Sequence, residues 1–488
     1  MSTKTETKQY QMYINGEFLD SKSGEYISVY NPSTEELISQ VPSCTVEEVQ
    51  EAIDVAEQAQ KQWKKKPASE RAKYLTALAE EIRKNKEFLA RVISEEQGKV
   101  LALSTTEVEF TADYIDYMAG MARSYEGEIL QSDRPNENIM IFKEPIGVVA
   151  GFLPWNFPFF LVARKAAPAL VTGNTIVIKP SSETPNNALE FAKLVEKVGI
   201  PKGVFNIVTG RGGTVGDKLA SSEKIGLVSL TGSVNAGVSV MKAASDNVTK
   251  VSLELGGKAP AIVAEDADLD LAVKAIVDSR IINSGQVCNC AERVYVHESI
   301  AGTFTTKIVE AMKKVNFGNP LEEENLDMGP LVSKQALESV EAMVNQAVLE
   351  GAQVLSGGKR ADRETGYFYE PTVLINVKQD SEIVQEEVFG PVLPILTFKD
   401  LDEAIKLAND CQYGLTSSIY TQNLDTAMRA ANELLFGETY INRENFEAIQ
   451  GFHSGRKKSG IGGADGKHGL EEFLQTHVVY LQHNPNKK

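Results

Sequence analysis

The sequence predicts an α/β protein made of two doubly wound α/β domains and a separate β-arm. Short apolar runs alternate with helical stretches twice, over residues 144–263 and again over 264–460. Strand–helix–strand alternation of this kind implies a parallel sheet covered on both faces. A chain of 488 residues is also too long for one ordinary core. Residues 126–143 and 474–480 read as extended pieces outside either alternation, and unpaired strand edges seek partners. The first domain is expected at 1–125 with 144–255, the second at 256–460, and the arm at 126–143 with 461–488.

The elements follow in order. Tyr13-Ile14-Asn15-Gly16-Glu17-Phe18 carries an Asn-Gly turn between apolar residues, a hairpin signal. Residues 45–98 have Ala and Leu at helical spacing among charges, and 101–125 continue as helix. Gly127, Pro135 and Asn136 then break the chain into short extended pieces. Val148-Val149-Ala150-Gly151-Phe152, Thr175-Ile176-Val177-Ile178, Phe205-Asn206-Ile207-Val208 and Ile225-Gly226-Leu227-Val228-Ser229-Leu230 read as buried strands. Thr184 before Pro185 starts a helix between two of them, and Gly199 stops it. In the second alternation, 270–284 and 333–351 read as helices. Arg293-Val294-Tyr295-Val296, Val373-Leu374-Ile375, Pro394-Ile395-Leu396 and Ser417-Ser418-Ile419-Tyr420 read as strands. The tail, 474–480, is a lone strand without a local partner.

Composition narrows the classes. The chain is 42% hydrophobic and 24% charged, as in soluble globular proteins. A net charge of −17 gives no general attraction for nucleic acid or an anionic membrane. The basic run Lys64-Lys65-Lys66 lies in a helical, Glu-rich stretch and reads as a solvated helix face. Residues 146–163 are apolar for the length of a membrane span. Pro154 and Pro158 interrupt that run and Arg164-Lys165 closes it, so it reads as a buried strand entering a loop. The N-terminus lacks the apolar stretch of a signal peptide. Cys44, Cys288, Cys290 and Cys411 are scattered, which suits a reducing cytoplasm. No metal site is expected.

Two residues beside glycines carry the strongest chemical signal: Glu254 in Leu253-Glu254-Leu255-Gly256-Gly257, and Cys288 in Asn283-Ser284-Gly285-Gln286-Val287-Cys288. Glycines let the backbone turn sharply and a ligand come close. A sulfur nucleophile followed by a carboxylate that activates water can turn an aldehyde into an acid. Cys288 follows a helix that Gly285 ends, which does nothing to lower a thiol pKa of about 8.5, so an activator must come from elsewhere. In Pro154-Trp155-Asn156-Phe157-Pro158 two prolines restrict a loop that presents one amide, the kind of donor an oxyanion hole needs. Lys179 ends a strand, where a ribose or phosphate binds. Glycine-rich segments over 209–216 and 231–237 follow the next two strands. Neither has the G-x-G-x-x-G spacing, so a nucleotide bound in a non-standard way is expected.

In this combination the motifs resemble the NAD(P)-dependent aldehyde dehydrogenase superfamily, from Met12 to Leu481. The match also includes Ile178-Lys179-Pro180, Thr231-Gly232-Ser233, Gly285-Gln286-Val287-Cys288 and Glu387-Val388-Phe389-Gly390-Pro391-Val392. The resemblance implies a Rossmann-like cofactor domain, a catalytic domain and a β-arm that builds dimers and tetramers. It implies Cys288 as nucleophile, Asn156 with the Cys288 N–H as oxyanion hole, and Glu254 as general base. For the cofactor it implies Lys179 and Glu387 at the riboses, Ser233 near the pyrophosphate and Phe389 beside the nicotinamide. Trp155, Ser182, Gly216 and Gly232 join that set. Relatives that transfer the acyl group to coenzyme A lack a base at the Glu254 position, so a free acid is the implied product. NAD-preferring members usually carry Glu where Ser182 stands, and a short Ser leaves room for a 2′-phosphate beside Lys179. NAD is the expected cofactor, with NADP use open.

The pocket residues are polar where many relatives are apolar. Arg164 replaces an aromatic, Asn289 follows the nucleophile, and Glu447 and His453 lie in a segment that lines the family's substrate tunnel. Buried polar groups reject substrates that leave them unpaired. The set looks most like the branch of the family that oxidises lactaldehyde and glycolaldehyde. Three alternatives stay open: a semialdehyde dehydrogenase in which Arg164 grips a carboxylate, a non-catalytic binding relative, and a thiol esterase using only Cys288 and Glu254. Arg164 can also serve structurally, paired with Glu447 or another acid.

Overall fold

The structure is a computed structural model describing residues 7–484; Met1–Glu6, read above as lacking a leader, lie outside the described residues. Two large sheets dominate it. The first has eight strands, ordered Gly460–Ile461, Lys250–Glu254, Ile225–Thr231, Val148–Phe152, Thr175–Lys179, Phe205–Ile207, Met12–Ile14 and Glu17–Leu19. Its five central strands are parallel, and antiparallel strands close both edges. The second has seven strands, running from Gln353–Ser356 through Thr372–Ile375, Val392–Phe398, Ala291–His297, Ala259–Val263 and Thr416–Tyr420 to Glu438–Ile441. Only Gln353–Ser356 pairs antiparallel in it. The expected α/β class with parallel, doubly wound sheets is therefore the observed one.

Local chemistry explains the element ends. Asn15 and Gly16 take φ of 53° and 75° between the first two strands of the eight-stranded sheet, as an Asn-Gly hairpin requires. Residues 45–98 form three helices rather than one, Val46–Trp63, Ala68–Lys84 and Lys86–Gln97. Thr45 and Glu48 make a reciprocal capping box at the first. Lys64–Lys66 are the turn after it, so the basic run is solvated at a helix end and not on a helix face. The helix Leu101–Gly120 stops short of Tyr125 and tightens into a 3-10 turn.

One expectation needs correction. The helix expected over 270–284 ends at Ile281. Asn283, Ser284 and Gly285 follow with φ of 48°, 59° and 77°, three successive left-handed residues that no α-helix accommodates. The tail strand, Leu474–Gln482, has no local partner, as expected, and finds one far back along the chain. It pairs antiparallel along its whole length with Glu137–Pro145, which in turn pairs with Glu128–Gln131. The segments expected to form an arm thus make one three-stranded sheet.

The helix Pro158–Thr172 is buried along its whole length. Its first turn depends on an ion pair with no solvent exposure, Lys99–Glu107. Glu107 Oε1 accepts from the backbone N–H groups of Phe159 and Phe160 at 3.0 and 3.1 Å, satisfying donors that a helix start leaves unpaired. Lys99 Nζ donates to the Asn156 carbonyl at 2.7 Å and stands 3.6 Å from the centre of the Phe157 ring. Removing one member of a buried pair leaves the other charge uncompensated. Lys99→Met should therefore destabilise the fold by about 3–5 kcal/mol, measured as a lower urea midpoint; an unchanged midpoint would refute this role.

Candidate active site

The eight-stranded sheet reverses its order between Val148–Phe152 and Ile225–Thr231. Ligands of such sheets bind beyond the carboxyl ends of the strands at this switch point. A cleft of about 730 Å³ opens there. Its walls include Trp155, Asn156, Lys179, Ser182, Gly216, Gly232, Ser233, Glu254, Cys288, Glu387 and Phe389. Every residue assigned from sequence to catalysis or cofactor binding thus meets in one cavity. A second cavity of about 70 Å³ shares Asn156, Thr231 and Cys288 with the first, and Arg164, Asn289 and Glu447 help to line it. Cys288 stands where the two spaces join.

The cleft suits a dinucleotide. Ser233 caps the helix Val234–Ala244, so unpaired N–H groups face the cleft where a pyrophosphate is favoured. Lys179 Nζ is buried and donates to the Pro180 carbonyl at 3.0 Å; burial pulls its pKa down to about 8. Ser182 is half-buried, with its hydroxyl 3.4 Å from the Gly210 carbonyl, and Glu183 stands exposed at the rim. Glu387 Oε1 accepts from the Gly257 N–H at 2.8 Å, and burial pushes its pKa up to about 8. Phe389 is held at φ 52°, with its ring edge-on to Trp155 at 5.2 Å between centroids. Thr231 Oγ1 and Glu254 Oε2 are buried at the cleft and make no hydrogen bond to protein, although Arg164 lies 3.4 Å from the latter. Buried polar atoms left unpaired point to a ligand or water in that space.

Three loops bring the reacting groups together. Asn156 Nδ2 donates to the Gln286 carbonyl at 3.0 Å, which ties the proline-bracketed loop to the segment carrying Cys288. Gly257 passes so close to that segment that a Cβ there would meet the Cys288 carbonyl oxygen at 2.4 Å, so only glycine fits. Glu254 ends its strand beside Gly460, across from Thr231.

Charges missed in the sequence surround Glu254. Lys165 Nζ donates to its Oε1 at 2.7 Å, and Arg164 approaches Oε2 at 3.4 Å. Burial pushes the Glu254 pKa up, but the Lys165, Arg164 and His453 charges more than reverse this and bring it down to about 2. These charges favour the carboxylate form of Glu254, with one oxygen tied to Lys165 and the other facing Arg164. Arg164 also forms a two-pronged pair with Asp465 and lies 3.7 Å from Glu447. Asn289 in turn donates to Glu447. His453 lies behind Cys288, its ring against Glu438, and neither cavity wall includes it. A signal for Lys165 existed: two cations closing a buried apolar run must find acids. Nothing local marked Glu438 or Asp465 as those partners. Cys290 is fully buried and donates to the Val287 carbonyl, a packing residue as expected.

A cysteine between a nucleotide-sized cleft and a small pocket, with a carboxylate and an amide at hand, defines a nucleotide-dependent oxidoreductase. The aldehyde dehydrogenase family model matches residues 18–479, and the chain belongs to that family. It is 60% identical to lactaldehyde dehydrogenase of Escherichia coli K12, over 97% of this chain and 99% of that protein. A crystal structure of the E. coli lactaldehyde dehydrogenase superposes with a TM-score of 0.97, covering 98% of this chain and 100% of that one. The chain is 41% identical to D-glyceraldehyde dehydrogenase (NADP(+)) of Picrophilus torridus, over 97% and 96% of the two chains. It is 40% identical to glutarate-semialdehyde dehydrogenase of Pseudomonas putida, over 96% and 97%. Members of the family use NAD or NADP.

If Glu254 activates the water that releases the product, Glu254→Gln should give a burst near one reduced nicotinamide per subunit. Steady-state turnover should then fall about 10²–10⁴-fold. Stopped-flow absorbance reads both, and wild-type turnover in the variant would remove the assignment.

Proposed function

We propose that this enzyme oxidises a small 2-hydroxyaldehyde, such as lactaldehyde or glycolaldehyde, to the free acid with NAD or NADP. The observation that carries the reading is the pocket of about 70 Å³ opening on Cys288, with Arg164, Asn289 and Glu447 on its wall. The space suits a few heavy atoms; its wall is mostly apolar, with Phe110, Phe160, Leu161 and Val287 among its residues, and Arg164, Asn289 and Glu447 are the polar groups a hydroxyl beside the carbonyl would meet. The 60% identity to lactaldehyde dehydrogenase supports the same substrate class.

In this reading Cys288 adds to the aldehyde carbon, and the oxyanion takes hydrogen bonds from Asn156 Nδ2 and the Cys288 N–H. Lys179, Ser182, Gly216, Gly232, Ser233, Glu387, Phe389 and Trp155 hold the cofactor. When bound, its nicotinamide accepts the hydride, leaving a thioester on Cys288. Glu254 then takes a proton from water through Oε2, which makes no hydrogen bond within the protein, and the acid leaves. Lys165 anchors the other oxygen throughout.

The semialdehyde alternative needs a cation free to grip a second carboxylate. Arg164 already faces Asp465, Glu254 and Glu447. A substrate carboxylate would have to displace one of them from Arg164. We therefore favour a neutral substrate, and the same crowding favours a structural share in Arg164's role. The test is kcat/KM for lactaldehyde, glycolaldehyde and succinic semialdehyde with each cofactor separately. A large preference for a hydroxyaldehyde is expected, and a large preference for the semialdehyde would reject the proposal.

We assign the cofactor domain to 1–125 with 144–255 and the catalytic domain to 256–460, with 126–143 and 461–488 as the arm. The arm is proposed to join copies into a homodimer or homotetramer. In support, Ile129 is 77% and Tyr480 66% exposed on a sheet with both edges open. Sedimentation velocity should give a dimer or larger, and a monomer at micromolar concentration would overturn it. A cytoplasmic location fits four free cysteines, and no helix among the described residues is long and apolar enough to cross a membrane. Cell fractionation tests that location.

A further inference from the structure

Asp465 is buried beside the reacting groups yet lines neither cavity, so it meets neither substrate nor cofactor. Its carboxylate takes the Arg164 fork. Nε donates to Oδ1 at 2.9 Å, and Nη2 donates to Oδ2. Nη1 is the nitrogen left to face the other acids. It stands 3.4 Å from Glu254 Oε2 and 3.7 Å from Glu447 Oε1, both longer than an ordinary N–H···O hydrogen bond. Glu254 Oε2 accordingly accepts no hydrogen bond from protein, while Lys165 holds Oε1 at 2.7 Å.

The backbone at Asp465 is arranged for this grip. Asp465 has φ 72° and ψ 161°, a region that glycine adopts and other residues rarely enter. Three backbone hydrogen bonds fix its neighbours. Ala464 exchanges two of 2.9 Å with His453, and the Gly466 N–H donates to the Ile449 carbonyl at 2.9 Å. A Cβ at Gly466 would collide with the Gly451 carbonyl oxygen, so the turn cannot slide. A strained residue that is not glycine, in a turn already rich in glycine, is kept for its side chain.

We propose that Asp465 is a positioning residue that holds the Arg164 guanidinium back from Glu254 Oε2 and so keeps that oxygen open to water. The inference rests on the proposed role of Glu254 as general base. In the step concerned, the water oxygen bonds to the thioester carbon as its proton passes to Oε2. The C–S bond then breaks with its electron pair going to sulfur, giving the acid and the Cys288 thiolate. Without the Asp465 charge, the guanidinium closes the remaining gap and donates to Oε2, and the water loses its acceptor. Glu254 draws it more strongly than Glu447 does. Glu447 already accepts from Asn289 and its side chain is 17% exposed, against 3% for Glu254.

The test uses the full-length enzyme with the aldehyde of highest kcat/KM from the panel above, and stopped-flow absorbance follows the reduced nicotinamide. Asp465→Asn should keep a burst near one reduced nicotinamide per subunit while steady-state turnover falls about tenfold or more, since water must displace a charge-assisted hydrogen bond. Adding Arg164→Gln to Asp465→Asn should raise turnover again, because the cation that closes on Oε2 is gone. Three results would overturn the role: unchanged turnover, a burst that shrinks in proportion to turnover as a merely structural loss would give, or a double variant no faster than Asp465→Asn. Should Asp465→Asn fail to fold, Asp465→Gly takes its place under the same outcomes, because glycine adopts this backbone without strain. Wild-type turnover in Glu254→Gln would remove the general base itself. Slowed turnover in Glu254→Gln with Asp465→Asn like wild type would remove only the role of Asp465.

Discussion

Two adjacent cations on one buried helix, Arg164 and Lys165, face the carboxylate of Glu254, and the site is arranged around that contact. A buried carboxylate would otherwise be neutral and useless for activating water. Lys165 holds one oxygen, and Arg164 faces the other, which makes no hydrogen bond to protein. Burying those cations creates a debt of its own, met by Asp465 and Glu447. The C-terminal turn carrying Asp465 and the loop carrying Glu447 are thereby drawn onto the helix. Of these two acids, Glu447 also lies on the wall of the small pocket.

The helix can carry this charge because its start is held by another buried pair. Lys99 and Glu107 satisfy its first N–H groups and the Asn156 carbonyl together. Asn156, the proposed oxyanion donor, and the cations around Glu254 therefore share one rigid mount. Cys288 comes from elsewhere, on a segment of three left-handed residues pressed against Gly257. Such backbone costs energy and persists where the surroundings over-determine it. Here the Asn156 to Gln286 hydrogen bond and the tight contact with Gly257 do so.

The small and large cavities then divide the work. A nucleotide-sized cleft lies at the switch point of one sheet, and a pocket for a few atoms lies between that sheet and the helices before it. Cys288 borders both, which is the condition for electrons to pass from a carbon in one to a ring in the other.

Much of this was legible in the sequence by itself. Period and punctuation determined the α/β class, the core strands and the hairpin at Asn15-Gly16, because those signals are local. The motifs around Asn156, Lys179, Glu254 and Cys288 marked residues that do meet in one cleft. The helix end at Ile281 and the register of the tail strand were not legible. One depends on a left-handed run enforced by contacts far along the chain, the other on pairing across more than three hundred residues. Only the tertiary structure decided which acids meet which cations. Arg164 turned out to be shared among Asp465, Glu254 and Glu447, and His453 to stand on Glu438. Charge pairing in a buried site is a property of distance in space, and residues that share it carry no common spacing along the chain.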